Sequence, residues 1–579
     1  MCTGIAERSI AALLALTGLL LISVPAQAQT PPPPTPSPVV SPLATLFPEA
    51  TPLPSVTPTP APFLVAQPVS FTTTVGGSQD IKILGASGAL TAQLSSPIAQ
   101  VTVEQTTIHV TGQVLGSATL HVTDQAGASV DVQVRVGLPA GTVPASLALT
   151  VTGTPAGPQF LKRQIQAALD RAIRPTLTPG ASIAYGPELQ DPPPLQPEGV
   201  ATIAVPVTVA GSENTATVTA VVNVTVTNMT LALVTPALLF YDDDPEYVSG
   251  LGVLFRGNVT VDQPARLYYY HDDLNLPKDI AIVISSAGES QVQIIDSPAG
   301  PDLDVMSVGH QVSKLFLQEE PRNEGVVADI TPTTPFVLRD AMTLAGELVA
   351  GAADIRVVGG APVTVSVIAY PAGDDWHKYM TGFATPDGHA RHGVFDIGGY
   401  GVQSLAYSVG GPDATYEYGA RDTTPHNIDP NGPGHDFGDY GVIHRITFDI
   451  DNPGITPQTI YLYEKPLGGP VRSTFIVDGQ VKELGCARVP ERYQIVAYTM
   501  PAQQQAASTV VTMTDGGSNY PIEIGMTETP PLPTVPPQSA PDGCFPKATP
   551  SPSPSLEPTE VPSEMPAEPT ALPSPSGTP

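Results

Sequence analysis

The chain has 579 residues, and its 24 basic against 54 acidic side chains give a formal net charge of −30. A nucleic-acid-binding protein needs a basic surface that displaces the counterions of the phosphates, so this composition excludes that class. The same negative charge disfavours anionic membrane surfaces but is compatible with divalent cations.

The N-terminal residues 1–28 have the pattern of a secretory signal peptide. Arg8 supplies a positive charge, residues 11–23 form a short apolar run, and Ala26-Gln27-Ala28 is a small-residue cleavage site. A membrane anchor is the alternative. No later run reaches the roughly 18 apolar residues of a transmembrane helix. We therefore expect an exported protein, at the cell surface, in the periplasm or secreted, with no transmembrane segment after cleavage near Gln29.

Two segments, residues 29–65 and 526–579, are rich in proline, serine and threonine. Such compositions cannot bury a core and favour extended polyproline II geometry. We expect both segments to be disordered and to serve as tethers. Disordered ends without a spacing role are the alternative.

Residues 66–140 have the alternation of a small β-sandwich. Every second residue from Val130 to Val136 is a valine, and the residues between them are polar. This segment resembles bacterial Ig-like repeats and the N-terminal domain of pilus-assembly secretins, through the sequence PIAQV at residues 97–101 and through Gly112 and Gly116. The resemblance implies an Ig-like β domain and does not imply pilus export.

Residues 145–232 predict a small α+β domain. Pro158 is a favourable first-turn residue for a helix, and Pro175 stops the helical pattern. Two apolar runs, 200–209 and 215–226, flank a polar turn and predict a hairpin. The apolar stripe of the helix consists of Leu161, Ile165, Leu169 and Ala172.

Two further β-sandwich-like domains are predicted at residues 236–372 and 373–525. The sequences ARLYYYHDD (residues 265–273) and DVMSVGHQVSKLFL (304–317), with GDYGVIHRITFDI (438–450), are similar to a family of exported bacterial β-domain proteins. The matching motifs are structural, and the resemblance assigns no catalytic residue.

The stretch from Asp374 to Arg445 contains six of the ten histidines and the only tryptophan. Within it, His389 and His392 lie three residues apart beside aspartates. Imidazole and carboxylate ligands together suit zinc, copper or nickel. The sequence therefore offers a transition-metal site, and polar loop residues that bond to each other or to water are the alternative.

A second candidate in the same stretch is an oxygen-rich loop with Asp429, Asn431, His435 and Asp436. Calcium takes six to eight oxygen ligands, and loops of this composition supply them. The spacing does not meet the EF-hand pattern. A structural Ca²⁺ is one interpretation, and a turn whose residues are chosen for backbone reasons is the other.

Aromatic side chains suggest a ligand-binding face. Tyr268 and Tyr270 share one side of a predicted strand, and Trp376 lies in the histidine-rich stretch. Exposed aromatic rings stack on sugars, whereas tyrosine in strands is also a common packing residue. These three residues are the candidates for carbohydrate binding.

Two cysteines remain after the expected cleavage, Cys486 and Cys544. In an oxidising compartment such a pair predicts a disulfide that ties the C-terminal tail to the last domain. Two free thiols are the alternative.

The sequence thus predicts a mainly β, multi-domain protein, with an Ig-like sandwich, a small α+β domain and two β-sandwich-like domains between disordered ends. Nucleophile elbows, zinc helices, P-loops and Cys-x-x-Cys pairs are missing from the sequence. The first hypothesis is an exported, non-catalytic structural or adhesion protein of the cell envelope or extracellular space, with a protein or polysaccharide partner. A metal- or carbohydrate-binding surface module is the second, and a metal-dependent hydrolase is the third.

Overall fold

The computed structural model describes residues 63–186, 191–212, 214–421, 423–429 and 434–534. The predicted signal peptide, nearly all of the first tether and the tail beyond residue 534 lie outside the described residues. Within them the chain forms 34 strands and two α-helices. The predicted mainly β class is therefore confirmed.

The N-terminal part is a β-sandwich whose core contains Val132, Val134 and Val136, as their alternation predicted. Its strands are β1 (Val65–Gln67), β2 (Ser70–Thr74), β3 (Ser78–Leu84), β4 (Leu90–Leu94), β5 (Ala99–Glu104), β6 (Thr107–Gly112), β7 (Gly116–Asp124) and β8 (Ser129–Pro139). They form two sheets, with the orders β1-β3-β6-β5 and β8-β7-β4; β2 pairs with β8, and so does the short strand Thr215–Ala216 from the next part of the chain.

The central part contains both α-helices. Its elements are β9 (Ser146–Val151), α1 (Pro158–Ile173), β10 (Ser182–Tyr185), β11 (Val200–Ala210), β12 (Thr215–Ala216), β13 (Val218–Asn228), β14 (Leu238–Asp242), β15 (Tyr247–Val248), β16 (Gly252–Val259), β17 (Ala265–Asp273), β18 (Lys278–Ser286), β19 (Ser290–Asp302), α2 (Val305–Glu319), β20 (Val326–Ile330), β21 (Phe336–Thr343), β22 (Leu348–Gly360) and β23 (Val363–Pro371).

The C-terminal part consists of strands and turns. Its strands are β24 (His392–Asp396), β25 (Val402–Ser408), β26 (Ala414–Tyr418), β27 (His426–Asn427), β28 (Ile443–Asn452), β29 (Gln458–Pro466), β30 (Val471–Val477), β31 (Gln480–Ala487), β32 (Tyr493–Met500), β33 (Gln504–Met513) and β34 (Ile522–Thr527).

Helix α1 follows the sequence prediction. It begins at Pro158, and Leu161, Ile165 and Leu169 are buried against the core. The hairpin also forms, because β11 and β13 pair antiparallel. Among the described residues, neither helix is long and apolar enough to cross a membrane.

One long sheet organises the centre of the molecule. Among the described residues it has twelve strands, in the order β10-β11-β13-β9-β20-β19-β22-β17-β14-β24-β27, with β15 pairing with β17. Strands from the predicted α+β segment and from both later segments share it. The proposed domain boundaries stay predictions.

The long sheet is covered on both faces. On one face, α1 and the sheet β16-β23-β18-β21 enclose a core that includes Tyr269. On the other face, Tyr268 and Tyr270 pack with α2 and with Val442 and Ile443 from the C-terminal part. Strands buried on both faces have nearly continuous apolar sequences, as in β22, whereas β17 also buries Arg266 and His271, which have polar partners.

The C-terminal part closes into its own β-sandwich. Its two sheets have the orders β25-β28-β33-β30-β31 and β26-β34-β29-β32. Phe448, Phe475 and Ile524 are fully buried between them. Strands β25 and β26 are the outermost strands of these two sheets within the described residues, and they lie at the same edge of the sandwich.

Buried polar contacts join this sandwich to the central part, through Gly441 and Asp515. Arg266 in β17 is 1% exposed and forms two hydrogen bonds with Asp354, of 2.7 and 3.0 Å. Its third nitrogen donates to the carbonyl of Gly441 at 3.1 Å. In α2, Nδ1 of His310 lies 2.7 Å from Oδ2 of Asp515. Because these charges have partners with good geometry, the contact between the two parts is polar as well as apolar.

Candidate ligand-binding cleft

A cleft opens at the edge of the C-terminal sandwich where β25 and β26 lie. Its volume is about 280 Å³. The lining includes Tyr400, Gln403, Tyr416, Glu417, Tyr418 and Thr423. The cleft lies within the histidine-rich stretch that the sequence marked, but tyrosines rather than histidines form its walls.

The alternation of β26 places its tyrosines in the cleft. Tyr416 and Tyr418 are two residues apart and therefore point to the same side of the strand. Their rings are stacked, with centroids 6.1 Å apart and an interplanar angle of 15°. Tyr418 is buried in the sandwich core, and Tyr416 is half-buried. The result is an aromatic wall that is open on one side.

The opposite wall comes from the turn before β25 and from that strand. Leu405 and Tyr407 face the sandwich core, so Gln403 lies on the same inward face near the start of the strand. Strand β25 pairs in parallel with β28. The amide of Gln403 therefore faces the cleft, where it offers both a donor and an acceptor.

Tyr400 is fixed by hydrogen bonds beneath the cleft. Its hydroxyl donates to the carbonyl of Thr423 and lies 3.2 Å from both carboxylate oxygens of Asp439. Asp439 also accepts from the backbone N–H of Gly419 at 3.0 Å. Burial raises the pKa of Asp439 to about 7, although these two donors oppose the shift. The Tyr400 ring is thus held in place by a fully buried carboxyl group.

His444 forms the floor behind the tyrosines. It is fully buried, and burial lowers its pKa to about 3, so the imidazole is neutral near pH 7. Its Nε2 lies 3.4 Å from Oδ2 of Asp439, and its Nδ1 lies 3.2 Å from the hydroxyl of Tyr416. With the single proton assigned to Nε2, Nδ1 accepts a hydrogen bond from Tyr416. His444 therefore orients Tyr416 and carries no positive charge.

A second, shallower cavity of about 410 Å³ lies near β27. Its lining includes Phe395, His426, Asn427 and His435. The ring of His435 stacks on Phe437, with centroids 4.8 Å apart. This cavity adjoins residues outside the described ranges.

The structure pairs the two predicted transition-metal ligands with separate carboxylates. Nδ1 of His389 lies 2.9 Å from Oδ1 of Asp387, and the histidine is exposed. Nδ1 of His392 lies 3.2 Å from Oδ2 of Asp244. Each histidine thus has an acidic partner of its own.

The predicted calcium loop is only partly described, because Asn431 lies outside the described residues. Asp436 is fully buried and accepts from the backbone N–H of Tyr440 at 2.8 Å, while its second oxygen has no hydrogen-bond partner among the residues that the structure describes. Burial raises the pKa of Asp436 well above its usual range. Asp429 is half-buried, and its backbone N–H donates to Asn427.

Within the described ranges, no three His, Cys, Asp or Glu side chains converge as a metal ion would require. Both metal sites stay sequence predictions.

The predicted carbohydrate face is corrected by the structure. Tyr268 and Tyr270 share one side of β17, as predicted, but they are only 1% and 7% exposed. Helix α2 and the C-terminal part cover them, so no external ligand reaches their rings. Trp376 is half-buried and stacks on His377, with ring centroids 3.6 Å apart, beside a small apolar cluster around Tyr370. It helps to cover the outer face of a sheet.

The structure describes one of the two cysteines of the predicted disulfide. Cys486 lies in β31 and is half-buried. Cys544 lies outside the described residues. The bridge between them stays a prediction.

Sequence reasoning did not single out Tyr400, Tyr416 or Gln403. One available signal was the ATYEY run of residues 414–418, in which tyrosines alternate with a polar residue. The alternation indicates that both tyrosines share a face. It does not indicate that the strand is the outermost one of its sheet, which depends on pairing with β34 more than 100 residues later.

Comparisons with known proteins identify no family for this chain. No protein-family model matches it, and no curated protein matches it. Among solved structures, the chain is similar to Lac15 from a marine microbial metagenome, at 10% identity over 80% of this chain and 90% of that chain, with a TM-score of 0.10.

Two further solved structures show likenesses of the same low level. One is SGBP-B of the Bacteroides ovatus mixed-linkage glucan utilization locus, in complex with a mixed-linkage heptasaccharide, at 9% identity over 51% of this chain and 71% of that chain, with a TM-score of 0.11. The other is Fet3p, a multicopper oxidase that functions in iron import, at 8% identity over 79% of each chain, with a TM-score of 0.09. Scores this low carry no argument about fold or function.

Proposed function

We propose that the protein is an exported, non-catalytic adhesion protein that binds carbohydrate in the cleft between β25 and β26. One observation carries the proposal, namely the cleft of about 280 Å³ lined by Tyr400, Tyr416 and Tyr418. Tyr400 and Tyr416, which are half-buried, take the role that the sequence analysis gave to Tyr268 and Tyr270, and Tyr418, which is 1% exposed, packs behind them.

The chemistry of the lining fits a sugar ring. A pyranose has an apolar C–H face that packs on an aromatic ring and a rim of hydroxyl groups that need hydrogen bonds. The half-buried rings of Tyr400 and Tyr416 offer the first contact. Gln403 and Thr423 offer donors and acceptors at the rim. Ligand sites commonly combine aromatic walls with a few such polar groups.

The size of the cleft favours a single sugar unit. Drug-sized ligands occupy pockets of about 300–1,000 Å³, and this cleft, at about 280 Å³, lies just below that range. Because it opens at the edge of a sandwich, the rest of an oligosaccharide is free to extend into solvent. A terminal or side-chain sugar is the expected bound unit.

Export is supported by the sequence. The signal-peptide pattern of residues 1–28 and the proline-rich segments on either side of the β domains are what a protein displayed away from a surface needs. Its strongly acidic composition favours solubility in that setting.

The direct test is calorimetric titration of the full chain with a panel of soluble oligosaccharides. Tyr416→Ala should weaken binding by about tenfold, since an aromatic contact and its buried area are lost. Tyr416→Phe keeps the ring and should keep most of the affinity, which separates loss of stacking from loss of the bond to His444. Tyr461→Ala, a half-buried tyrosine of the same sandwich outside the cleft, is the matched control.

Two outcomes would contradict the proposal. If no oligosaccharide binds, or if Tyr416→Ala and Tyr461→Ala bind as the unsubstituted chain does, the cleft is not a carbohydrate site. If the full chain releases new reducing ends from a bound oligosaccharide, the proposal that the protein is non-catalytic is wrong. The hypothesis of a metal-dependent hydrolase would then be supported.

A further inference from the structure

Helix α2 meets the C-terminal sandwich at a close polar contact. Gly309 lies directly against Gly516 in the turn after β33, since a Cβ atom at Gly309 would stand 2.0 Å from the Gly516 carbonyl oxygen. One helical turn further along, the hydroxyl of Ser313 donates to the carbonyl of Thr514 at 3.2 Å. This contact between α2 and residues 514–518 is named the α2 joint below.

His310 lies in the α2 joint, between two carboxylates of the sandwich. Its Nδ1 is 2.7 Å from Oδ2 of Asp515, and its Nε2 is 3.1 Å from Oε1 of Glu483. A neutral imidazole has one N–H and donates to one of these oxygens, while its other nitrogen faces the second carboxylate with a lone pair. The imidazolium donates to both. The geometry therefore favours the doubly protonated form of His310.

Charged side chains from the surrounding elements complete the α2 joint. They are Asp304 and Lys314 at α2, Glu464 in β29, Arg472 in β30, Glu483 in β31 and Asp515 after β33. Lys314 lies 2.9 Å from Glu483, and Arg472 lies 3.3 Å from Asp304. These two cations thus compensate Glu483 and Asp304, while Asp515 has His310 as its hydrogen-bonded cation.

The titration of these groups agrees with the geometry. Burial disfavours a charge on His310, but Asp515 and Glu483 outweigh burial and raise the pKa of His310 to about 9. The hydrogen bond from His310, together with Lys314, lowers the pKa of Glu483 to about 2, although burial opposes this shift. Near pH 7, a charged imidazolium thus links α2 to the sandwich.

From this arrangement we propose that His310 is a proton-dependent switch of the α2 joint, which opens in alkaline solution while the rest of the chain stays folded. Loss of the proton removes the positive charge beside Asp515, which is fully buried and has one oxygen without a hydrogen-bond partner among the described residues. A buried carboxylate without its partner is costly, so the contact that breaks is the one His310 makes. Proteins commonly open in such local units.

The size of the effect follows from the linkage between protonation and opening. The pKa of His310 is about 9 in the closed joint, and its ordinary value of 6.5 applies once solvent reaches the ring. Because the pKa is higher in the closed joint, the stabilisation is fully present below pH 6.5 and is lost as the pH rises to about 9. The open fraction should rise about tenfold per pH unit in this range, and at most about 300-fold in total.

The test is hydrogen exchange of the full chain, measured by mass spectrometry from about pH 6 to about pH 10 and corrected for the intrinsic exchange rate. Glu464 titrates in the same range, so the chain carries Glu464→Gln. Protection of residues 305–319 and 513–520 should fall by up to about 300-fold and then level off. Strands β11 and β13 contain no titratable side chain and should keep their protection.

Two substitutions in this background locate the effect. His310→Gln should lower the protection of the α2 joint in neutral solution and remove its dependence on pH. His121→Gln, at an exposed histidine of the N-terminal sandwich, should leave the pH dependence as it is. A measurement without either substitution is exchange of the imidazole C2 hydrogen in the unsubstituted chain, in which His310 should titrate near pH 9.

Each outcome decides for or against the switch. Loss of protection that is confined to the α2 joint and abolished by His310→Gln supports it. Protection that stays constant with pH, or a His310 midpoint near 6.5, overturns it. A parallel loss in β11 and β13 also overturns it, since the proton would then be lost through unfolding of the whole chain. If His310→Gln does not fold, the imidazole titration of the unsubstituted chain decides.

Discussion

Replacement of Glu464 by glutamine should make the protein more stable in alkaline solution. Glu464 in β29 is fully buried, and its Oε1 accepts a hydrogen bond from Ser473 at 2.6 Å. Its second oxygen has no hydrogen-bond partner among the described residues. Burial, with a smaller contribution from Asp515, raises the pKa of this carboxyl group to about 8, while Ser473 and His310 oppose the shift. Glutamine keeps the shape of the protonated side chain and cannot ionise.

The magnitude follows from the linkage between protonation and folding. The pKa of Glu464 rises from 4.5 in the unfolded chain to about 8 in the folded protein. At 1.36 kcal/mol per unit, this difference corresponds to at most about 5 kcal/mol. Because the pKa of Glu464 is higher in the folded protein, the contribution of this group to the free energy of unfolding is fully present below pH 4.5. That contribution is lost as the pH rises to about 8. His310, whose pKa is raised from 6.5 to about 9, loses its proton over this pH range, and its deprotonation lowers the stability in the same direction.

The assay is urea unfolding followed by circular dichroism at pH 5 and at pH 9. Glu464→Gln should match the unsubstituted protein within about 1 kcal/mol at pH 5 and exceed it by several kcal/mol at pH 9. Glu289→Gln, at an exposed site, should have no effect at either pH. If Glu464→Gln changes the free energy of unfolding equally at both pH values, Glu464 is already ionised in the folded protein and the reasoning fails.

Three further predictions address the buried Arg266–Asp354 ion pair of the long sheet, the predicted metal sites and the predicted disulfide. Arg266→Met should lower the free energy of unfolding by about 3–5 kcal/mol, because it leaves Asp354 buried without its partner, and addition of Asp354→Leu should restore part of the loss. Urea unfolding measures both, and an Arg266→Met change below about 1 kcal/mol would contradict the role of the pair. The predicted metal sites are tested by elemental analysis and by the melting temperature with and without EDTA. A bound ion should appear in stoichiometric amount, and its removal should lower the melting temperature; absence of both would exclude the sites predicted at His389 and His392 and in the loop around Asp429. Peptide mapping without reduction should find Cys486 joined to Cys544, and alkylation of either thiol without reduction would exclude the bridge.

Local patterns predicted what depends on neighbouring residues. The helix α1 follows from Pro158 and a stripe of apolar residues with helical spacing, and both persist in the structure. The alternating valines of β8 predicted which of its faces is buried. In each case, the buried face of the helix or strand follows from the spacing of apolar residues within one short segment of the sequence.

Other features depend on contacts between distant residues. The alternation of Tyr268, Tyr269 and Tyr270 indicated that the first and third share a side, but not that this side is covered. The cover comes from α2 and from Val442 and Ile443, which lie more than 170 residues later. An exposed strand face and a face buried under a second layer have the same local sequence when both are aromatic. The sequence analysis therefore predicted a ligand-binding face where the structure buries Tyr268 and Tyr270.

Two buried polar residues of the histidine-rich stretch support the cleft. Four of the six histidines, namely His377, His389, His426 and His435, are exposed. Asp439 and His444 are fully buried and need polar partners. Asp439 meets that need by holding Tyr400 and the backbone of Gly419, and His444 does so by orienting Tyr416. Buried polar groups that are fixed in this way make the aromatic wall rigid before any ligand arrives, and a rigid wall loses little conformational entropy on binding. Asp439 and His444 thus support Tyr400 and Tyr416, the two tyrosines to which the proposed function assigns the ligand.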